Sequence, residues 1–311
     1  RSGSHVRWVW PTLNPEIRAL IGKAVPGALS ASAFQINIFI SGILASQVAG
    51  ARSWLNAADR LYQLPVGLVG VAIGVALLPR LSKAVHTDDH AAGQAALDEA
   101  ITFALALTLP AAAALVAMPF FIIDGLFTRG AFNVYDAHQT AQALFHYGWG
   151  APAFVLMQIV NRAFYARQDT QTPMRFAMLQ VVVNIALGVG LFLLVGFQGI
   201  AAATSAASWL SVFLMLGALA RRGHYTVSAS AMARIARIAA ASIVLGLALA
   251  LASHQRAAIE HAVRFLAIGP LHAKEPAIAL VCALAVPLYG ALLFALGGVK
   301  PSELKRAVRR G

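Results

Sequence analysis

Eight stretches of mostly apolar residues divide this chain, at roughly 21–49, 60–79, 100–123, 140–164, 174–196, 199–220, 233–253 and 277–298. Each is close to the ~20 residues that a helix needs to cross the hydrocarbon core of a bilayer. Helix is the state these stretches predict. Backbone groups in lipid must be bonded within their own segment, and none of the stretches alternates as a barrel strand does. Prolines inside them, at positions 26, 65, 110, 152 and 287, mark expected kinks. Composition agrees. Hydrophobic residues make up 59% of the 311 and charged residues 12%, against about a quarter charged in soluble domains. The expected fold is therefore an all-α polytopic membrane protein with eight transmembrane helices.

The formal charge of +12 would suggest nucleic acid in a soluble protein. Here the cations cluster between apolar runs and form no stripe with aromatics, so no nucleic-acid partner is expected. Their placement orients the chain instead. With the N-terminus inside, 18 of the 24 Lys and Arg fall in inner segments and 6 in outer ones. That bias predicts both ends of the chain in the cytoplasm. The 254–275 loop is the least regular, and Arg256 within it reads as an exposed cation whose removal is tolerated. Pro15 to Lys23 fits a short interfacial helix, and the basic tail from Pro301 to Arg310 fits contact with anionic lipid. The chain begins at Arg1, no signal peptide precedes its first apolar run, and it reads as a C-terminal fragment.

No enzyme motif is present: no H-E-x-x-H, P-loop or G-x-S-x-G. His86 and His90 around Asp88 and Asp89 read as a solvated loop beside Gly93 rather than a metal cluster. Cys282 lies alone inside an apolar run. Neither metal nor cofactor is expected.

The informative segment is Asp59-Arg60-Leu61-Tyr62-Gln63-Leu64-Pro65, which opens the second span. Arg60, Gln63, Gly67, Gly70 and Gly74 share one helical face. Small residues on that face let another helix approach closely. An arginine beside hydrocarbon usually faces a bundle interior or an aqueous cavity, and its planar fork of donors suits phosphate. Snorkelling to the interface, or pairing with a carboxylate, fits Arg60 equally well. Asp59 either caps the start of the helix or pairs elsewhere. Other polar residues inside the spans include Gln35, Asn37, Gln158, Asn161, Gln180, Asn184, Thr204, Ser205 and Ser208. Most such groups bond between helices. Asn37, Asn184 and Thr204 could together form a cation site, though one without a carboxylate. Thr172-Pro173 reads as a helix start with Thr172 as N-cap, and Gly130 as a turn.

The stretch from Ala57 to Gly67, continued by Leu77-Leu78-Pro79-Arg80-Leu81-Ser82-Lys83, resembles the signature region of the MurJ/MviN flippase family. Gln35-Ile36-Asn37, Leu126 to Phe132, and Phe164 to Pro173 agree in order and spacing, so the resemblance runs from about Pro15 to Arg222. It implies membership of the multidrug/oligosaccharidyl-lipid/polysaccharide exporter superfamily. Residues 1–222 would be the second six-helix lobe of a fourteen-helix flippase. Residues 223–311 would be two further helices and a basic tail. The resemblance implies a bacterial inner-membrane location and lipid II as substrate, an undecaprenyl diphosphate-linked disaccharide peptide. Membrane lipids and a missing N-terminal lobe would be the other partners. Arg60 matches the cavity arginine of this lobe, with Asp59 and Gln63 beside it as further substrate contacts. The implied mechanism is alternating access through a cationic cavity, without covalent chemistry. Two alternatives remain open: a related exporter of another cargo, either a drug/cation antiporter or an O-antigen/polysaccharide lipid flippase, and a membrane enzyme acting on polyprenyl lipids. The first would use membrane carboxylates, and the second would cluster Asp, Glu or His at one membrane face.

Overall fold

The computed structural model describes Asn14, Ile17, Arg18, Ser32 and residues 35–87, 89–266 and 273–297. Among these residues the structure is helical, with no strand. In chain order the elements are α1 (Gln35–Ser46), α2 (Ala51–His86), α3 (His90–Ala117), α4 (Pro119–Phe127), α5 (Val134–Tyr165), α6 (Gln171–Val195), α7 (Gln198–Arg221), α8 (Ala229–His254), α9 (Arg256–Ala262), a 3-10 turn (Arg264–Leu266) and α10 (Lys274–Ala295). Six of them, α3, α5, α6, α7, α8 and α10, are long and apolar enough to cross a membrane. Of the first expected span, Ser32 and residues 35–49 are described and carry α1; its earlier part lies outside the described residues, as do the basic tail and the lead-in helix except for Ile17 and Arg18, which are helical.

The second expected span is embedded in a much longer helix. α2 has 36 residues, about 54 Å at 1.5 Å per residue, so its ends project past the apolar stretch. It starts at Gly50 in a left-handed conformation with φ 86°, where a Cβ would sit 2.6 Å from the Trp54 ring. Only glycine makes that turn without strain. The third expected span is two helices. Pro119 has no N–H to continue α3 and disfavours helical geometry at the residue before it, so Met118 takes φ −136° and ψ 46° and α4 restarts with proline in its first turn.

α5 is the central helix, packed against α2, α3, α4 and α7. Small residues set these approaches. A Cβ on Gly148 would lie 2.9 Å from Leu115, and one on Gly150 would lie 2.1 Å from Ser205 Oγ. Across the second contact, Ser205 donates to the His146 carbonyl at 2.7 Å and Trp209 to that of Trp149 at 3.0 Å. α6 and α7 form a hairpin that turns at Gly196, φ 80°. α8 packs on α3, and α10 on α8, with Tyr289 donating to the Ala106 carbonyl at 2.7 Å.

Polar contacts sort the connections into two ends that alternate along the chain. At one end Trp54 donates to Asp136 at 2.9 Å, and Asp136 closes a capping box with Asn133. Asp124 of α4, only 2% exposed, receives Arg256 of α9 and, at 3.0 Å, Lys274 of α10. Arg256 also bonds Glu260 and lies over the Phe120 and Phe121 rings. The exposed-cation reading of Arg256 is therefore corrected: its side chain is mostly buried and compensates a buried carboxylate. The same pairings explain why the 254–275 loop departs from the charge pattern, since two of its cations serve Asp124.

At the other end Tyr225 donates to buried Asp98 at 2.7 Å, Gln94 bonds the Thr226 carbonyl, and Arg222 bonds Asp169 at 2.7 Å and Thr172 Oγ at 2.9 Å. The helix start near Thr172 is also corrected. α6 begins at Gln171, and the cap is the Asp169 carboxylate, which accepts the Thr172 N–H at 3.0 Å. Burial would raise the Asp169 carboxyl, but the Thr172 hydroxyl and N–H and the Arg222 guanidinium outweigh it and hold it below the usual carboxylate value. Asp89 likewise caps α3 through the Ala92 N–H at 2.9 Å, and His86 faces the Ser82 carbonyl at 3.0 Å; Asp88 lies outside the described residues.

Candidate functional site

Tyr62 sets the azimuth of α2. Its ring is buried, stacked on Tyr147 of α5 with centroids 4.9 Å apart, and close to Phe154 at 5.1 Å. Tyr62 binds the inner side of α2 to α5, so the opposite side carries Arg60, Gln63, Leu64, Gly67 and Leu68, all exposed. Leu64 is 67% and Leu68 77% exposed, and a Cβ on Gly67 would meet nothing within 4 Å. This face is uncovered by any described residue. No described carboxylate forms an ion pair with Arg60. Gln63 donates to Asp59, one turn before it. Asp59 is well inside the helix, eight residues after its first, so it does not cap the start.

Of the three glycines expected to admit a neighbouring helix, Gly70 does so. A Cβ there would lie 2.2 Å from Gln158 Oε1 of α5. One turn further along α5, Arg162 points its Nη2 at the Gly70 carbonyl, 3.4 Å away, while its Nη1 is buried with no hydrogen-bond partner. In the sequence Arg162 is one of the 18 Lys and Arg counted to the inner segments. The signal that could have found it is its i+4 spacing from Gln158, inside an apolar span rather than after it.

The remaining candidates divide. Asn184 of α6 is buried and donates to Asn37 Oδ1 of α1 at 2.9 Å. Thr204 donates back to the Ile200 carbonyl of its own helix at 2.9 Å, and Gln180 to Ser208 at 3.1 Å. Asn37 and Asn184 thus come together as an interhelical pair, and Thr204 is satisfied within α7. Gln35 is exposed and borders an open, mostly apolar recess of about 620 Å³ along α1.

A helical bundle of apolar spans, with an uncovered face on a proline-containing helix that carries Arg60 and Gln63, defines a polytopic membrane protein. Among solved structures, one described as "Lipid II flippase MurJ, inward closed conformation" superposes with a TM-score of 0.67 at 20% identity, covering 92% of this chain and 57% of that chain. A MOP superfamily transporter from Pyrococcus furiosus superposes with a TM-score of 0.58 at 14% identity, covering 90% of this chain and 62% of that chain. Both likenesses concern the fold. In sequence, the family profile described as lipid II flippase MurJ matches residues 1–268. Two curated proteins named "Probable lipid II flippase MurJ" are each 36% identical. The one from Rhizobium meliloti (strain 1021) aligns over 100% of this chain and 57% of its own length, and the one from Rhizobium tropici over 97% and 56%. The chain belongs to the lipid II flippase MurJ family. It spans little more than half the length of these relatives.

Proposed function

We propose that this chain is one lobe, residues 1–222, and a following helix pair, residues 223–311, of an inner-membrane flippase that moves lipid II from the cytoplasmic to the periplasmic leaflet. The supporting observation is the uncovered face of α2, which combines Arg60 and Gln63 with glycine and leucine and has no described partner. A lone guanidinium on such a face is costly in lipid. Against a second lobe it would line an aqueous cavity, where its fork of donors matches a diphosphate. In this reading Arg60 holds the diphosphate, with Asp59 orienting Gln63 beside it. Gln35 lies toward the same cavity, while Asn37, Asn184 and Thr204 serve helix packing. The polyprenyl tail stays in lipid. The lobes rock against each other, and no bond is made or broken. The Trp54–Asp124 end faces the periplasm and the Asp98–Arg222 end the cytoplasm, as the charge bias requires.

The test is complementation of a flippase-depleted strain. Residues 1–311 alone should insert and fail to support growth, because one wall makes no cavity. Fused behind the region of the Rhizobium meliloti relative that this chain does not match, they should restore it. Rescue by residues 1–311 alone would overturn the two-lobe reading.

A further inference from the structure

The second polar feature beside the Arg60 face is on α5. Facing away from the core, α5 carries Gln158, Asn161 and Arg162, all partly exposed, in its last two turns. The Arg162 guanidinium lies against the Gly70 carbonyl of α2, beside Gln158, whose side chain fills the space that a Gly70 side chain would take. Its only hydrogen bond among the described residues is the long 3.4 Å contact to the Gly70 carbonyl, and Nη1 is buried without a partner. No described carboxylate forms an ion pair with it. Buried donors of a permanently charged group are rarely left unsatisfied, and such a group calls for an acceptor. Gly70 is ten residues beyond Arg60, about 15 Å along α2. The two guanidinium sites therefore stand at different depths along α2.

We propose that Arg162 is a second anion-binding residue for the transported head group, serving the half of the path nearer the Asp98–Arg222 end, while Arg60 serves the other half. The inference rests on the flippase reading above and extends it. Arg60 alone would leave the diphosphate uncompensated over about 15 Å of travel. Arg162 shortens that gap, and its Nη2, held only by the long contact to the Gly70 carbonyl, supplies the donor. Asn161 and Gln158 flank it with neutral donors suited to the same oxygens. The long bond to Gly70 is weak enough to be exchanged for a phosphate oxygen.

The experiment measures binding of undecaprenyl diphosphate and of undecaprenol to the full-length protein in detergent, for wild type, Arg162→Gln, Arg162→Lys and Arg60→Ala. The expected result is about a tenfold loss of affinity for the diphosphate in Arg162→Gln, with undecaprenol binding unchanged and Arg162→Lys closer to wild type. Peptide mapping of wild-type protein treated with phenylglyoxal provides a readout independent of any variant's folding: undecaprenyl diphosphate, and not undecaprenol, should slow modification of Arg162. Unchanged diphosphate affinity in Arg162→Gln, equal losses for both lipids, or modification of Arg162 indifferent to the diphosphate would each overturn the proposal. If wild type does not prefer the diphosphate and Arg60→Ala changes nothing, the flippase reading itself fails. If Arg60→Ala weakens diphosphate binding and Arg162→Gln does not, only the present inference fails.

Discussion

Arg256 and Asp124 form an ion pair that joins α9 to α4, and Lys274, at the start of α10, reaches the same carboxylate at 3.0 Å. The pair fastens the connection between α8 and α10 to the rest of the bundle at a carboxylate that is 2% exposed. A carboxylate so far from water requires its cations.

Arg256→Ala should therefore destabilise the protein, by about 1–3 kcal/mol, because Lys274 remains to offset part of the loss. Arg264→Ala, at an exposed position in the same connection, should change stability little. Thermal unfolding in detergent measures both. The double variant Asp124→Ala/Arg256→Ala should cost less than the sum of the single variants, since removing Asp124 removes the need for its partner. Strict additivity would show the pair to be uncoupled.

Gly199 faces the backbone of Leu191 across the α6–α7 hairpin, and a Cβ there would lie 2.5 Å from the Leu191 carbonyl carbon. Backbone cannot rotate away as a side chain can. Gly199→Ala should cost about 1–3 kcal/mol and spread the hairpin. Gly190→Ala, where nothing lies within 4 Å, serves as the control and should be neutral. Equal melting temperatures for the two variants would contradict the packing.

Topology is tested with single cysteines in a Cys282→Ser background. Positions Ala49, Gly130, Gly196 and His261 should react with an impermeant thiol reagent added to intact cells. His86, Gln171 and Gly223 should react only after permeabilisation. Labelling of the second set in intact cells would invert or break the proposed orientation.

In the full-length protein, Arg60→Ala should abolish complementation of a flippase-depleted strain while membrane levels stay normal. Arg60→Lys should be partly or wholly defective, because a point charge does not reproduce the bidentate fork. Normal growth with Arg60→Ala as the only copy would favour the snorkelling arginine.

The sequence by itself determined the solvent of this protein and most of its helices. Apolar runs of span length have one workable backbone in lipid, so α5, α6, α7, α8 and α10 fall where hydropathy places them. It also carried the family, through contiguous segments such as Ala57 to Gly67, and it singled out Arg60, because a charge in an apolar run is visible without knowing what surrounds it. Tertiary structure decided what hydropathy does not encode. The break at Met118 lies inside a continuous apolar run and depends on local backbone geometry at Pro119. Thr172 looked like a cap, yet Asp169 is the cap, because Arg222 from 53 residues away holds that carboxylate in place. Arg256 looked exposed because its partner Asp124 is 132 residues distant. Arg162 looked like one more inner cation, and only the packing of α5 against α2 sets its Nη2 at the Gly70 carbonyl and leaves its Nη1 buried and unpaired. Each of these turns on which side chains meet across helices. That is set by packing between segments remote in the chain, which the periodicity of any one segment does not specify.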